Sequence, residues 1–152
     1  MTVQDKDDVE IEELIEGYRL TWAKEREKEF PDAQVHLEFS TALLRSNDRN
    51  HLLEAQDNLD DMIEEGLSIV DSCYAQAVCK FKLGLLSESS IYTSRVLQLD
   101  PNNEKAQQLQ DILETTASKE GKLTALLSIG VTFALAALLH AKFLKPFFSR
   151  NS

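Results

Sequence analysis

Three histidines, two cysteines and one dense run of carboxylates are the residues here with the means to do chemistry, and their spacing decides what each can do. His36, His51 and His140 stand too far apart to read as a metal-ligand motif, and no Cys-x-x-Cys occurs. Cys73 and Cys79 lie six residues apart, which on a helix is about 240° of rotation, so they face different ways. They read as buried apolar thiols of a reducing compartment, not as a disulfide. Asp57, Asp60, Asp61, Glu64 and Glu65 suggest calcium at first sight. An EF-hand loop needs Gly at its sixth position, where Met62 stands, and carboxylates at alternating positions. A solvated helix face accounts for them better. Gly-x-x-x-x-Gly-Lys, Gly-x-Gly-x-x-Gly and Gly-x-Ser-x-Gly are all missing. The expectation is a chain with no catalytic residues, no metal and no cofactor.

What remains is scaffold and surface. The 152 residues include five Gly and three Pro, with 43% apolar side chains and strong helix formers throughout, so the predicted class is all-α. The net charge of −10 conceals a division. Residues 1–118 carry 11 Lys/Arg against 25 Asp/Glu, a net of −14, whereas residues 119–152 carry five cations against Glu120 alone, a net of +4. An acidic body argues against nucleic acid as a partner, because phosphate binding needs a basic surface.

The basic tail surrounds an uncharged run. Leu123 to Ala141 spans 19 residues without a formal charge, about 29 Å as a helix, which matches the hydrocarbon core of a bilayer. Lys119 and Lys122 precede it, and Lys142, Lys145 and Arg150 follow, placed to reach headgroups on either side. The acidic N-terminus resembles neither a signal nor a transit peptide. The expectation is a tail anchor with residues 1–118 facing the cytosol.

Ahead of the tail, apolar periodicity marks six helices. Ile11, Leu14, Ile15, Tyr18 and Trp22 form the stripe of the first, which ends at Phe30-Pro31, with Asp32 as N-cap of the next. The others are predicted at about 33–46, 51–65, 69–83, 86–99 and 103–118, separated by Ser46-Asn47-Asp48, Glu65-Gly66, Gly84 and Asp100-Pro101-Asn102-Asn103. Two hairpins repeat each other. Residues Ser40 to Arg45 align with Ala77 to Lys82 at an offset of 37, and Leu52-x-Glu54-Ala55 aligns with Leu86-x-Glu88-Ser89 at 34. A two-helix period near 34 is the tetratricopeptide spacing. Ala77 and Ser89 are small where the helices of a unit cross, Gly84 suits the turn, and Pro101 reads as the start of the last helix. The domain plan is an acidic arm and first helix over 1–30, a repeat domain with closing helix over 31–118, and the anchor over 119–152. The fold class is a six-helix bundle with two tandem tetratricopeptide-like hairpins, followed by one transmembrane helix.

Those features together resemble the mitochondrial fission protein 1 family. The resemblance is carried by Phe39-Ser40-Thr41-Ala42-Leu43-Leu44-Arg45-Ser46, similar to the family's F/Y-x-x-x-L-hydrophobic-R-S segment, and by Gln76 through Pro101. It implies a receptor on the mitochondrial outer membrane, and on peroxisomes, that recruits or regulates a dynamin-related GTPase and its adaptors. In some lineages the partners it implies are Rab GTPase-activating proteins.

Stacked units of this kind expose a concave face made by their first helices. By repeat position, Leu37, Thr41, Leu44 and Arg45 line it from the first unit, and Tyr74, Val78, Phe81 and Lys82 from the second. Such a groove suits an amphipathic helix or extended peptide with apolar anchors and an acidic neighbour. The first helix either packs against the units or crosses the groove as an internal ligand. The other readings are a tail-anchored chaperone-docking or Rab-regulator-docking adaptor on another organelle membrane. A chaperone clamp needs Lys and Asn where Leu37, Thr41, Tyr74 and Val78 stand, and the acidic body repels an acidic peptide. A coiled-coil fusion protein is disfavoured by Gly66, Gly84 and Pro101. Gly130 and its small neighbours leave homo-oligomerisation open.

Overall fold

The computed structural model of the chain describes residues 3–120, which form six α-helices in sequence: α1 (Val3–Glu25), α2 (Ala33–Leu43), α3 (Arg49–Glu64), α4 (Ile69–Lys82), α5 (Leu86–Leu99) and α6 (Glu104–Glu120). The expected span at 123–141, with Lys122, Lys142, Lys145 and Arg150, lies outside the described residues, and Lys119 is exposed on the last turn of α6. Among the described residues no helix is long and apolar enough to cross a membrane.

Consecutive helices pack as antiparallel neighbours in the order α1·α2, α2·α3, α3·α4, α4·α5 and α5·α6, as short linkers require. The α2–α3 and α4–α5 pairs are the two tetratricopeptide-like hairpins. Ser89 Oγ donates to the Ala77 carbonyl at 2.7 Å, so α4 and α5 cross where both side chains are small. Gly84 ends α4 at φ 79°, in the left-handed region a Cβ disfavours. Asp32 caps α2, its side chain accepting from Gln34 N at 2.8 Å. The start of α6 differs from expectation. Pro101 sits in the turn, and α6 begins at Glu104 because Asn103 Oδ1 accepts from Ala106 N at 3.0 Å. The acidic N-terminal segment also joins α1, which runs from Val3 well ahead of the apolar stripe.

One continuous core runs through the stack. Ile15 of α1, Leu43, Leu52, Leu59 and Met62 of the first unit, Cys73, Ala77 and Val96 of the second, and Ala106 and Leu109 of α6 all belong to it. Each helix surrenders one apolar stripe, except α4, which is buried continuously from Ser72 to Phe81. Six antiparallel helices also return the chain to where it started. The N-terminus of α1, residues 44–48, residues 83–85 and the C-terminus of α6 share one end, and residues 26–32, 65–68 and 100–103 the other.

Candidate functional site

The candidate site is the face formed by α2 and α4, and α1 sets one of its edges. Trp22 stacks on His36 with ring centroids 4.0 Å apart and planes 4° from parallel. His36 Nε2 in turn donates to Asn58 Oδ1 of α3 at 3.0 Å. One turn earlier, Arg19 grips both carboxylate oxygens of Glu54, with Nη2 to Oε2 at 2.9 Å. Its guanidinium also lies 5.2 Å from the Phe39 ring centroid, a cation–π arrangement. His51 Nδ1 lies 2.9 Å from Ser46 Oγ and 3.6 Å from Glu12 Oε1. These contacts run to α2 and α3, so the structure packs the α1 stripe against the first unit. Its N-terminal half ends beside Arg45, where Asp7, Glu10, Ile11, Leu14 and Arg45 line a cleft of about 400 Å³.

The eight expected groove residues fall into two groups. Leu37 and Thr41 on α2, Leu44 at its C-cap, and Tyr74, Val78 and Phe81 on α4 are buried, the last three at 2%, 0% and 7% exposure. In this conformation their side chains are packed, not open to solvent. Arg45 and Lys82 are half-buried. Lys82 was expected to offer a groove cation, and the structure gives it another task. Its Nζ donates to the Leu44 carbonyl and, at 2.8 Å, to the Ser46 carbonyl, tying the C-terminal end of α2 to α4. Those carbonyls lack helical partners, and the negative end of the helix dipole favours a cation there. Burial nevertheless pushes the Lys82 ammonium down to about 8.

At the far end of the face, Asp71, Tyr74, Asn103, Glu104 and Lys105 line a more polar cleft of about 220 Å³. Burial raises the Tyr74 phenol above its ordinary value.

The opposite side of α4 carries a polar network that sequence spacing did not reveal. Lys80 Nζ meets Glu88 Oε2 at 2.7 Å and Gln56 Oε1 at 3.0 Å, while Gln76 Nε2 donates to Asp60 Oδ1 at 2.6 Å and to the Gln56 carbonyl at 3.2 Å. Asp60 therefore departs from the solvated carboxylate face expected of it, whereas Asp57, Asp61, Glu64 and Glu65 are exposed. The signal that pointed to this network was present: Gln56, Asp60 and Glu64 mark one side of α3, and Gln76 and Lys80 one side of α4, each four residues apart.

Among the described residues, no three His, Cys, Asp or Glu side chains come together as a metal site. Cys73 and Cys79 are free and buried. Burial pushes the Cys79 thiol up to about 12, and its Sγ donates to the Leu52 carbonyl at 3.2 Å. A thiol so far from ionising is a packing group.

Known proteins match the same helices. The model of the Fis1 C-terminal tetratricopeptide repeat family matches residues 70–122, which cover α4 to α6. The mitochondrial fission 1 protein of Tuber borchii is 27% identical over 111 residues, 72% of each chain. Both matches are to mitochondrial fission 1 proteins, and it is to that family that the chain is similar.

Proposed function

We propose that this protein is a non-enzymatic adaptor for mitochondrial fission, held on the outer membrane by residues 123–141 with its helical body in the cytosol. In this reading, the α2–α4 face receives a helix or extended peptide from a dynamin-related GTPase or its adaptors. The observation that carries the reading is the pair of apolar stripes, Leu37-Thr41-Leu44 and Tyr74-Val78-Phe81, on neighbouring first helices of two tetratricopeptide-like units. Paired stripes of that kind suit apolar anchors of a partner segment. The half-buried Arg45, at the acidic cleft beside α1, adds a cation at the rim. Similarity to the mitochondrial fission 1 proteins supports mitochondrial fission and protein–protein interaction as the general role. Peroxisomes are a second site of action in this reading, and Rab GTPase-activating proteins a second partner class.

Proximity labelling from the full chain in cells tests this directly. Recovery of a dynamin-related GTPase or its adaptors together with outer-membrane proteins is expected, and Arg45→Glu should deplete the division proteins while leaving the membrane neighbours. Recovery of chaperones alone, or of endoplasmic reticulum proteins alone, would overturn the proposal.

A further inference from the structure

Six of the expected groove residues are packed, so a partner meets the α2–α4 face first through the clefts at its two ends. One cleft lies beside α1. Asp7, Glu10, Ile11 and Leu14 fall at i, i+3, i+4 and i+7, on one face of that helix, and Arg45 shares the cleft with them. α1 has 23 residues and α2 has 11, about 34 Å against about 16 Å. Because Trp22 pairs with His36 near the start of α2, the N-terminal half of α1 overhangs the end of α2. Asp7 and Glu10 are exposed on that overhang. The other cleft lies where α4 and α6 begin, about 17 Å back along α4 counted from Lys82 to Asp71. There Asp71 and Glu104 are exposed, and Lys105 is half-buried.

We propose that the segment this face receives is cationic at both ends, with an arginine or lysine entering each cleft and apolar anchors between them. The proposal rests on the partner-groove reading above, and it reverses the charge expected of the ligand. Of the two cations expected to meet an acidic neighbour, Lys82 is spent on the carbonyls of Leu44 and Ser46. The other, Arg45, shares its cleft with two carboxylates. Each cleft sets two carboxylates against one cation, in a body whose residues 1–118 carry a net of −14. A field of that sign draws in a cationic segment and turns an acidic one away. The lining favours a long side chain. Beside α1, an arginine or lysine can lay its methylenes on the half-buried Ile11 and Leu14 while its charged head meets Asp7 and Glu10. At the other cleft a guanidinium finds the carboxylates of Asp71 and Glu104. Arg45 balances the two carboxylates of its own cleft. Arg45→Glu sets three acidic side chains around that cleft, and their repulsion parts its walls.

The test titrates the full chain, in nonionic micelles, into a fluorescein-labelled helical peptide. The peptide carries two arginines about eleven residues apart, three turns along one face, with leucines between them; its twin carries glutamates in place of the arginines. Fluorescence anisotropy at low salt should show the arginine peptide binding about tenfold more tightly, with an advantage that shrinks as salt is raised. Asp7→Asn with Glu10→Gln, and Asp71→Asn with Glu104→Gln, should each weaken its binding about threefold. Asp57→Asn with Asp61→Asn removes as much charge from the exposed face of α3, which lines neither cleft, and should leave the affinity unchanged. Equal or tighter binding of the glutamate peptide, or no binding of either, would overturn the proposal. So would a loss at Asp57 and Asp61 as large as at the clefts, because net charge alone would then set the preference. Proximity labelling in cells reads the fission proposal separately. Division proteins recovered there, with the glutamate peptide preferred here, would sink only the charge preference; their absence there leaves a preference measured here intact.

Discussion

Replacing Lys82 with Met removes the ammonium that binds the carbonyls of Leu44 and Ser46, and the consequence depends on pH. Burial lowers this group from 10.5 to about 8. The unfolded chain therefore holds the proton more tightly than the folded chain between those values, and stability rises with pH across the window. A shift of that size is worth about 3 kcal/mol in full. Below pH 8 the wild type carries this penalty, and the Met variant escapes it. The variant instead strands two carbonyls, at about 1–3 kcal/mol each when buried. Near pH 7 the two effects largely offset, and the variant should lie within about 2 kcal/mol of wild type. As the pH rises from 8 towards 10.5 the wild type should pull ahead, by up to about 3 kcal/mol. Urea unfolding of both full chains, followed by far-ultraviolet circular dichroism in one micelle buffer at fixed salt, measures the difference. Subtracting the variant cancels the titration of the other lysines and tyrosines. A difference that stays flat or shrinks with rising pH would refute the reasoning, because the two carbonyls would then outweigh burial and hold the proton on.

Two further outcomes follow from the packing. A double-mutant cycle of Arg19→Ala and Glu54→Ala should return a coupling of about 0.5–1 kcal/mol, since both side chains are about one-third exposed; no coupling would mean that Trp22 and Ile15 alone dock α1. Ser89→Leu should destabilise the body by about 1–3 kcal/mol in denaturant titrations, because the crossing at the Ala77 carbonyl leaves no room for a branched side chain; an unchanged midpoint would place the helices further apart.

The helices were legible because each apolar stripe is bounded by residues whose conformational cost is local: Asp32 as a cap, Gly84 as a left-handed turn. The hairpin repeat was legible because Ala77 and Ser89 must be small at a crossing. Arg45 and Lys82 occupy matching repeat positions, so the sequence makes them look equivalent. Their difference arises from carbonyls 36 and 38 residues away in the chain, which periodicity cannot register. Asp60 shows the same limit, since its bond to Gln76 joins α3 to α4 and nothing on α3 alone separates it from Asp57 or Asp61. The start of α1 rests on a different signal. Acidic residues in a first turn favour helix, and Asp5, Asp7 and Asp8 extend α1 without offering any apolar periodicity to count.

The even number of helices has a mechanical consequence. With the first turn of α1 and the last turn of α6 at one end, any support that holds the chain beyond Glu120 leaves the 26–32, 65–68 and 100–103 turns outermost, roughly 20 Å away by the length of α4. Phe30, 84% exposed, projects from the first of these. A protein gripping that rim would pull on a lever whose fulcrum lies wherever the chain is held beyond Glu120. A sideways load there becomes a tilt of the whole stack before it becomes strain within any helix.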